Sequence, residues 1–168
     1  DFTDALAEKA VQLVFRYLPT ACVKGDCLQT RSKMHNASAM AGMAFSQAGL
    51  GLNHAIAHQL GGQFHIAHGL ANSLLLTQVI SFNAASDVRA LKRYASMAKH
   101  CLFCAQDACD KTALNQLLNH IRQLQKQIGI VTSLHALKIS EKQVRSCLPD
   151  IIAATQADST LKTNPCPI

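Results

Sequence analysis

The sequence predicts an all-α domain of several packed helices. Three observations carry that reading. Apolar residues recur at three- and four-residue spacing over long stretches. Only 4 prolines and 8 glycines interrupt 168 residues. Aromatic residues are few, with 6 Phe, 2 Tyr and no Trp, which fits long helices better than many short strands. A chain of this length is expected to make one compact domain, 1–168, with a core of its own. Hydrophobic residues form 49% of it and charged residues 15%, a balance that excludes disorder.

Thr3 is the predicted cap of a first helix from Ala5 to Leu18, where Leu6, Ala10, Leu13, Val14 and Tyr17 share a face, with Pro19 and Gly25 as its stops. A second helix is predicted from Cys27 to Ala48, closed by Gly49 and Gly51, and its Ala, Gly and Ser content permits close helix contact. Met34, Met40, Met43 and Phe45 on it read as core packing. A third, Leu52 to Leu60, should end at Gly61-Gly62, and a fourth should run from His68 to Asn83. Helical patterns follow at about 87–100, 107–128 and 140–155, and the tail after Ala157 reads as irregular.

The net charge of +6 comes from 16 Lys and Arg that are scattered rather than aligned, and no nucleic-acid-binding motif is present. A nucleic-acid partner is therefore not expected. No charged n-region followed by an apolar h-region precedes the first helix, and Asp1 stands where Met would begin a full chain, so we expect a trimmed chain without a signal peptide. Seven cysteines, odd in number and irregularly spaced, favour reduced thiols and a cytoplasmic location over a disulfide frame.

From Met34 to Ser86 there is no Asp, Glu, Lys or Arg. The block is expected to be interior. A membrane span is the rival reading, but His35, His54, His58, His65 and His68 with several Asn and Gln would be costly in hydrocarbon, and the apolar runs are Ala-rich or short.

Four histidines fall between Gly49 and Gly69: His54, His58, His65 and His68. Side chains four apart on a helix share a face, so His54 and His58 point the same way. A glycine break after Leu60 would let the next helix begin at His68 with its ring aimed back at that face, and three imidazoles could then converge. Neutral imidazole suits Zn, Fe, Ni and Cu, but a divalent ion in an apolar site also wants an anionic ligand. No carboxylate occurs between Asp26 and Asp87, so at least one ligand should come from elsewhere. Histidines that merely bond to backbone and neighbours are the plain alternative for each taken singly. The run His100-Cys101-Leu102-Phe103-Cys104, with Cys109 following, lacks a second CxxC and reads as free thiols rather than a zinc site. Gly49 and Gly51 punctuate a helix and follow no strand, so they are no phosphate cradle.

These residues resemble the second signature of the iron-containing alcohol dehydrogenases: Gly49-Leu50-Gly51, His54, His58 and Gly61, then His68-Gly69-Leu70-Ala71-Asn72. The similarity extends to Thr3-Asp4-Ala5-Leu6-Ala7, Ala39 through Phe45, Phe82-Asn83 and Thr163-Asn164-Pro165, and within the family the tail looks closest to the ethanolamine-utilisation alcohol dehydrogenases. The resemblance implies the helical C-terminal domain of that family and of dehydroquinate synthase-like proteins. It implies Fe(II), with Zn as the other candidate, held by an aspartate and three histidines, of which His54 and His68 match the last two while the others precede Asp1. His58 matches a histidine beside the nicotinamide, with a catalytic and NAD(H)-facing role. Phe45 and Leu50 match positions lining the substrate cavity, Phe45 also facing the cofactor.

The implied reaction passes hydride between NAD(H) and a small alcohol–aldehyde pair, the metal acting as Lewis acid. NAD(H) would be held mainly by a Gly-rich N-terminal domain outside this chain, the fragment alone would be inactive, and the intact protein would be a homo-oligomer. A bacterial microcompartment replaces the cytoplasm if the ethanolamine-utilisation likeness holds. Ala67 stands where the family usually has Pro, and Val131 where it usually has Pro after Gly129-Ile130. A self-sufficient helical metal- or haem-binding module and a purely structural helical domain are the competing readings.

Overall fold

The computed structural model describes residues 1–168, and it is all-helical with no strand. Seven α-helices follow in order: α1 (Phe2–Val23), α2 (Leu28–Ala48), α3 (Leu52–Phe64), α4 (His68–Ser86), α5 (Val88–His100), α6 (Asp110–Gln127) and α7 (Glu141–Ala157). Short 3₁₀ turns cover His135–Leu137 and Ser159–Thr163. No helix is long and apolar enough to cross a membrane.

Helix order matches the sequence periodicity, and the differences lie at the ends. Asp1, not Thr3, caps α1: its carboxylate accepts the Asp4 backbone N–H at 3.0 Å and the Thr3 hydroxyl at 2.7 Å. Pro19 does not stop α1, which continues to Val23 while packed along α2; an amphipathic face with a partner outweighs one lost helical hydrogen bond. Nor do Gly61 and Gly62 stop α3. The helix runs to Phe64 and breaks at His65, whose φ of 54° is left-handed. The Ile66 carbonyl lies 3.4 Å from where a Cβ on Gly61 would sit, so the chain doubles back over a glycine inside the helix.

The contacts divide the chain into two compact units. One comprises Asp1–Gly49 with Leu91–Ile128. Its buried positions are rich in alanine, Ala10, Ala21, Ala37 and Ala44 on α1 and α2 and Ala95 and Ala98 on α5, with Leu117, Leu118 and Ile121 supplied by α6. Small side chains allow backbones to approach closely. Phe103 stacks on His120, centroids 4.5 Å apart, and meets Phe15 at a tilt, at 4.6 Å. Arg93 pairs with Asp4, and His100 Nδ1 lies 2.9 Å from Glu8.

The second unit comprises Leu50–Ala90 with Gly129–Ile168. Here α3 packs on α4 and α7, and Ala57, Leu60, Ile66, Ala71 and Ile151 form its buried centre. The tail is ordered rather than irregular. Ser159–Thr163 is helical, and beyond it the Asn164 amide donates to Asn83 at 3.0 Å and to the Cys166 carbonyl at 2.9 Å.

The uncharged block is not uniformly interior. On α2, Met43 is 50% exposed and Phe45 47%, and on α4 Phe82 is 43% exposed, so Met43 and Phe45 are not core residues as their spacing suggested. An absence of charge marks any surface that avoids charge, buried or not. Periodicity alone cannot separate the two.

Candidate metal centre

His54 and His58 sit one turn apart on α3, and His68 is the first residue of α4. The turn at His65 returns the chain so that the three rings meet. Ring centroids of His54 and His68 are 5.3 Å apart, those of His58 and His68 5.5 Å in a stacked pair, and those of His54 and His58 6.2 Å edge-on. His65 remains exposed at the turn, and His35 lies exposed on α2 in the other unit.

The start of α3 is held from a distance. Gly51 offers no capping side chain, so the Leu52 N–H donates instead to Asn164 Oδ1 at 3.1 Å, and the Thr163 hydroxyl donates to the Leu50 carbonyl at 2.7 Å. A Cβ on Gly51 would lie 3.0 Å from that same Asn164 oxygen, so the position has room only for glycine unless Asn164 shifts.

Hydrogen bonds also orient the rings. Asn53 Nδ2 donates to Asn72 Oδ1 at 2.7 Å, which turns the Asn72 amide so that its Nδ2 faces His68 Nε2 at 3.2 Å. His68 Nε2 therefore accepts from the Asn72 amide. Burial foremost, with the neighbouring His68 and His58, lowers the pKa of His54 and so favours its neutral form.

His58 is engaged differently. Its Nδ1 lies 2.8 Å from Asp158 Oδ2, and Asp158 Oδ1 accepts the Thr160 N–H at 2.9 Å and the Thr160 hydroxyl at 2.7 Å. These bonds, the one to His58 foremost, hold the Asp158 carboxyl down at about 2. Sequence reasoning missed Asp158. The signal was Asp158-Ser159-Thr160 following a helix, the pattern of a capped turn, in a tail read as irregular.

Nowhere in the chain do three His, Cys, Asp or Glu side chains gather in a way that could hold a metal ion. The three imidazoles converge without forming a ligand set of three. The spacing of one pair still suits a shared cation: two imidazoles bound to one ion at about 2.1 Å, at a roughly tetrahedral angle, have ring centres about 5 Å apart, and those of His54 and His68 are 5.3 Å apart. His100, Cys101, Cys104 and Cys109 form no such group either. Burial pushes the Cys101 thiol up to about 11, and all seven cysteines are free.

Phe45 lies near the end of α2 in the first unit, while Leu50 opens the second unit, partly buried. The sequence profile of the Fe-containing alcohol dehydrogenase family, C-terminal part, matches residues 1–168. This chain belongs to the Fe-containing alcohol dehydrogenase family. As the C-terminal domain of such a protein, it is 62% identical over 98% of its length to a 1-propanol dehydrogenase PduQ of Citrobacter freundii, of which it covers 44%. It is 35% identical to an NADPH-dependent butanol dehydrogenase of Clostridium saccharobutylicum over 98% of this chain and 40% of that protein. A crystal structure of a 1,3-propanediol oxidoreductase superposes on 99% of this chain with a TM-score of 0.89 and 33% identity, covering 42% of that chain. The chain thus spans less than half the length of the relatives it matches.

One expectation is corrected. The tail suggested an ethanolamine-utilisation enzyme, but the relative at 62% identity is a 1-propanol dehydrogenase, so that narrower likeness is set aside.

Proposed function

We propose that this domain is the metal- and substrate-side half of an oxidoreductase that moves hydride between NAD(H) and a small primary alcohol–aldehyde pair. The pairing of His54 with His68 across two helices, at 5.3 Å, is the observation that carries the reading. His54 and His68 would supply two ligands to Fe(II), or to Zn if that ion is available, and the remaining ligands would come from a part of the protein beyond these residues. The bound ion would contribute Lewis-acid polarisation of the alcohol or aldehyde oxygen. His58 would face the nicotinamide, and Phe45 and Leu50 would line the substrate cavity, with Phe45 also toward the cofactor. NAD(H) would be held mainly by another domain, so this domain alone would be inactive. The 62% identity to a 1-propanol dehydrogenase favours a short, unbranched alcohol.

The test uses the intact protein. His54→Ala and His68→Ala should each lose bound metal and at least about a hundredfold in alcohol oxidation, since outer contacts alone cost about 10–100-fold. Full activity in both variants would end the assignment. A self-sufficient metal or haem module would instead bind one equivalent tightly in residues 1–168 alone, which calorimetry with Fe(II), Zn(II) and haemin reads directly.

A further inference from the structure

The second unit holds a carboxylate whose two oxygens have separate tasks. Asp158 Oδ1 takes both Thr160 donors, N–H at 2.9 Å and hydroxyl at 2.7 Å, which fixes the carboxylate plane at the start of the 159–163 turn. Oδ2 is left to His58 Nδ1, at 2.8 Å. The Asp158 side chain is 13% exposed and that of His58 37%, so the bond is largely shielded on the carboxylate side and the ring is open on the other. The tail that carries Asp158 is itself anchored, Thr163 to the Leu50 carbonyl and Asn164 to the Leu52 N–H, at the head of the helix that bears His58.

We propose that Asp158 is a positioning residue that locks the Nδ1-protonated tautomer of His58 and so presents an unprotonated Nε2 to the reacting groups. The proposal rests on the hydride-transfer site described above. An ionised carboxylate can only accept, so Nδ1 must donate, and a neutral imidazole then carries its lone pair on Nε2. Asp158, held at about 2 by His58 and Thr160, is ionised throughout the physiological range. Oxidation of an alcohol to an aldehyde sends a hydride to the nicotinamide and releases the hydroxyl proton. An unprotonated Nε2 beside the nicotinamide is a base able to take that proton, whereas the opposite tautomer has none to offer there. The same logic orients the histidine of hydrolytic triads through a buried carboxylate.

Asp158→Asn separates the two tasks. Its Oδ1 still accepts from Thr160, and Asn caps turns as well as Asp, so the fold is retained. Its amide nitrogen replaces Oδ2 and donates to His58 Nδ1, which forces the proton onto Nε2. In intact protein labelled with 15N-histidine, with His58 identified by the signals lost in His58→Gln, wild type should show a protonated Nδ1 and bare Nε2, and Asp158→Asn the reverse. The kcat of alcohol oxidation should fall at least tenfold in Asp158→Asn, with KM and metal content changed less than twofold. Asp158→Glu should keep the wild-type tautomer and return kcat to within about threefold. An unchanged tautomer in Asp158→Asn overturns the proposal, as does a reversed tautomer with kcat intact. A kcat loss that tracks lost metal, or that Asp158→Glu does not relieve, marks a merely structural role and also overturns it. Wild-type protein that oxidises no alcohol would sink the functional reading instead, and the tautomer measurement would then decide the Asp158 assignment on its own.

Discussion

Asn164 Oδ1 accepts the Leu52 N–H at 3.1 Å across 112 residues of chain, capping α3 from the far end of the sequence. The cap stands two residues before His54. Anything that loosens it loosens the helix that carries two of the three clustered histidines.

Gly51→Ala and Asn164→Ala should therefore each destabilise the protein by about 1–2 kcal/mol, the worth of a cap or a buried hydrogen bond. The double variant should cost less than their sum, because the Cβ added at Gly51 meets the very oxygen that Asn164→Ala removes. Urea unfolding of the four proteins measures this, and strict additivity would contradict it.

Leu117 and Phe45 should behave as opposites. Leu117 is 2% exposed and fully enclosed, so Leu117→Ala should cost about 2–5 kcal/mol through lost contacts and the cavity left behind. Phe45 is 47% exposed, so Phe45→Ala should leave the unfolding midpoint almost unmoved while raising KM for the alcohol severalfold. A large stability loss in Phe45→Ala with KM unchanged would remove Phe45 from the substrate cavity.

Acid should act through Asp158. Its carboxyl sits at about 2 in the fold against 3.8 when unperturbed, so the folded state favours the ionised form. The stability this adds is complete above about pH 4 and is lost as pH falls from there through 2. Asp158→Asn should flatten the loss of stability between those limits, which unfolding series at pH 5, 3.5 and 2.5 would reveal; an unchanged slope would show that the His58 bond does not persist in solution.

Thiol reactivity should sort by environment. The Thr112 hydroxyl, beside the Cys109 sulfur, lowers the pKa of Cys109, and hydrogen bonding by Thr30 lowers that of Cys27, whereas burial pushes Cys101 up to about 11. Iodoacetamide at pH 8 followed by peptide mapping should label exposed Cys109 first and Cys101 last. Prompt labelling of Cys101 would contradict the packing given for it.

The order of the helices was legible because apolar spacing reports a buried face directly, as at Leu117, Leu118 and Ile121 on α6. Boundaries were less so. Pro19 and Gly61 are poor helix formers in isolation, yet both lie inside helices whose faces find partners, and tertiary packing outweighs a propensity cost of a few kcal/mol at most. The meeting of His54, His58 and His68 could be read from spacing and one turn, since all three lie within adjoining helices. Asp158 could not. It reaches His58 across 100 residues, and no local pattern encodes such a pairing. The exposure of Phe45 was hidden for a different reason: an uncharged, apolar stretch looks the same whether it faces a core or a surface kept free of charge.

The most direct test of the central claim is the iron K-edge X-ray absorption spectrum of the Fe(II)-loaded intact protein, compared with His54→Ala, His68→Ala and His58→Ala. Imidazole scattering around the iron should fall by one ring in each of the first two variants and stay at the wild-type level in His58→Ala. Unchanged scattering in His54→Ala and His68→Ala would contradict the assignment of these two histidines as partners on one ion.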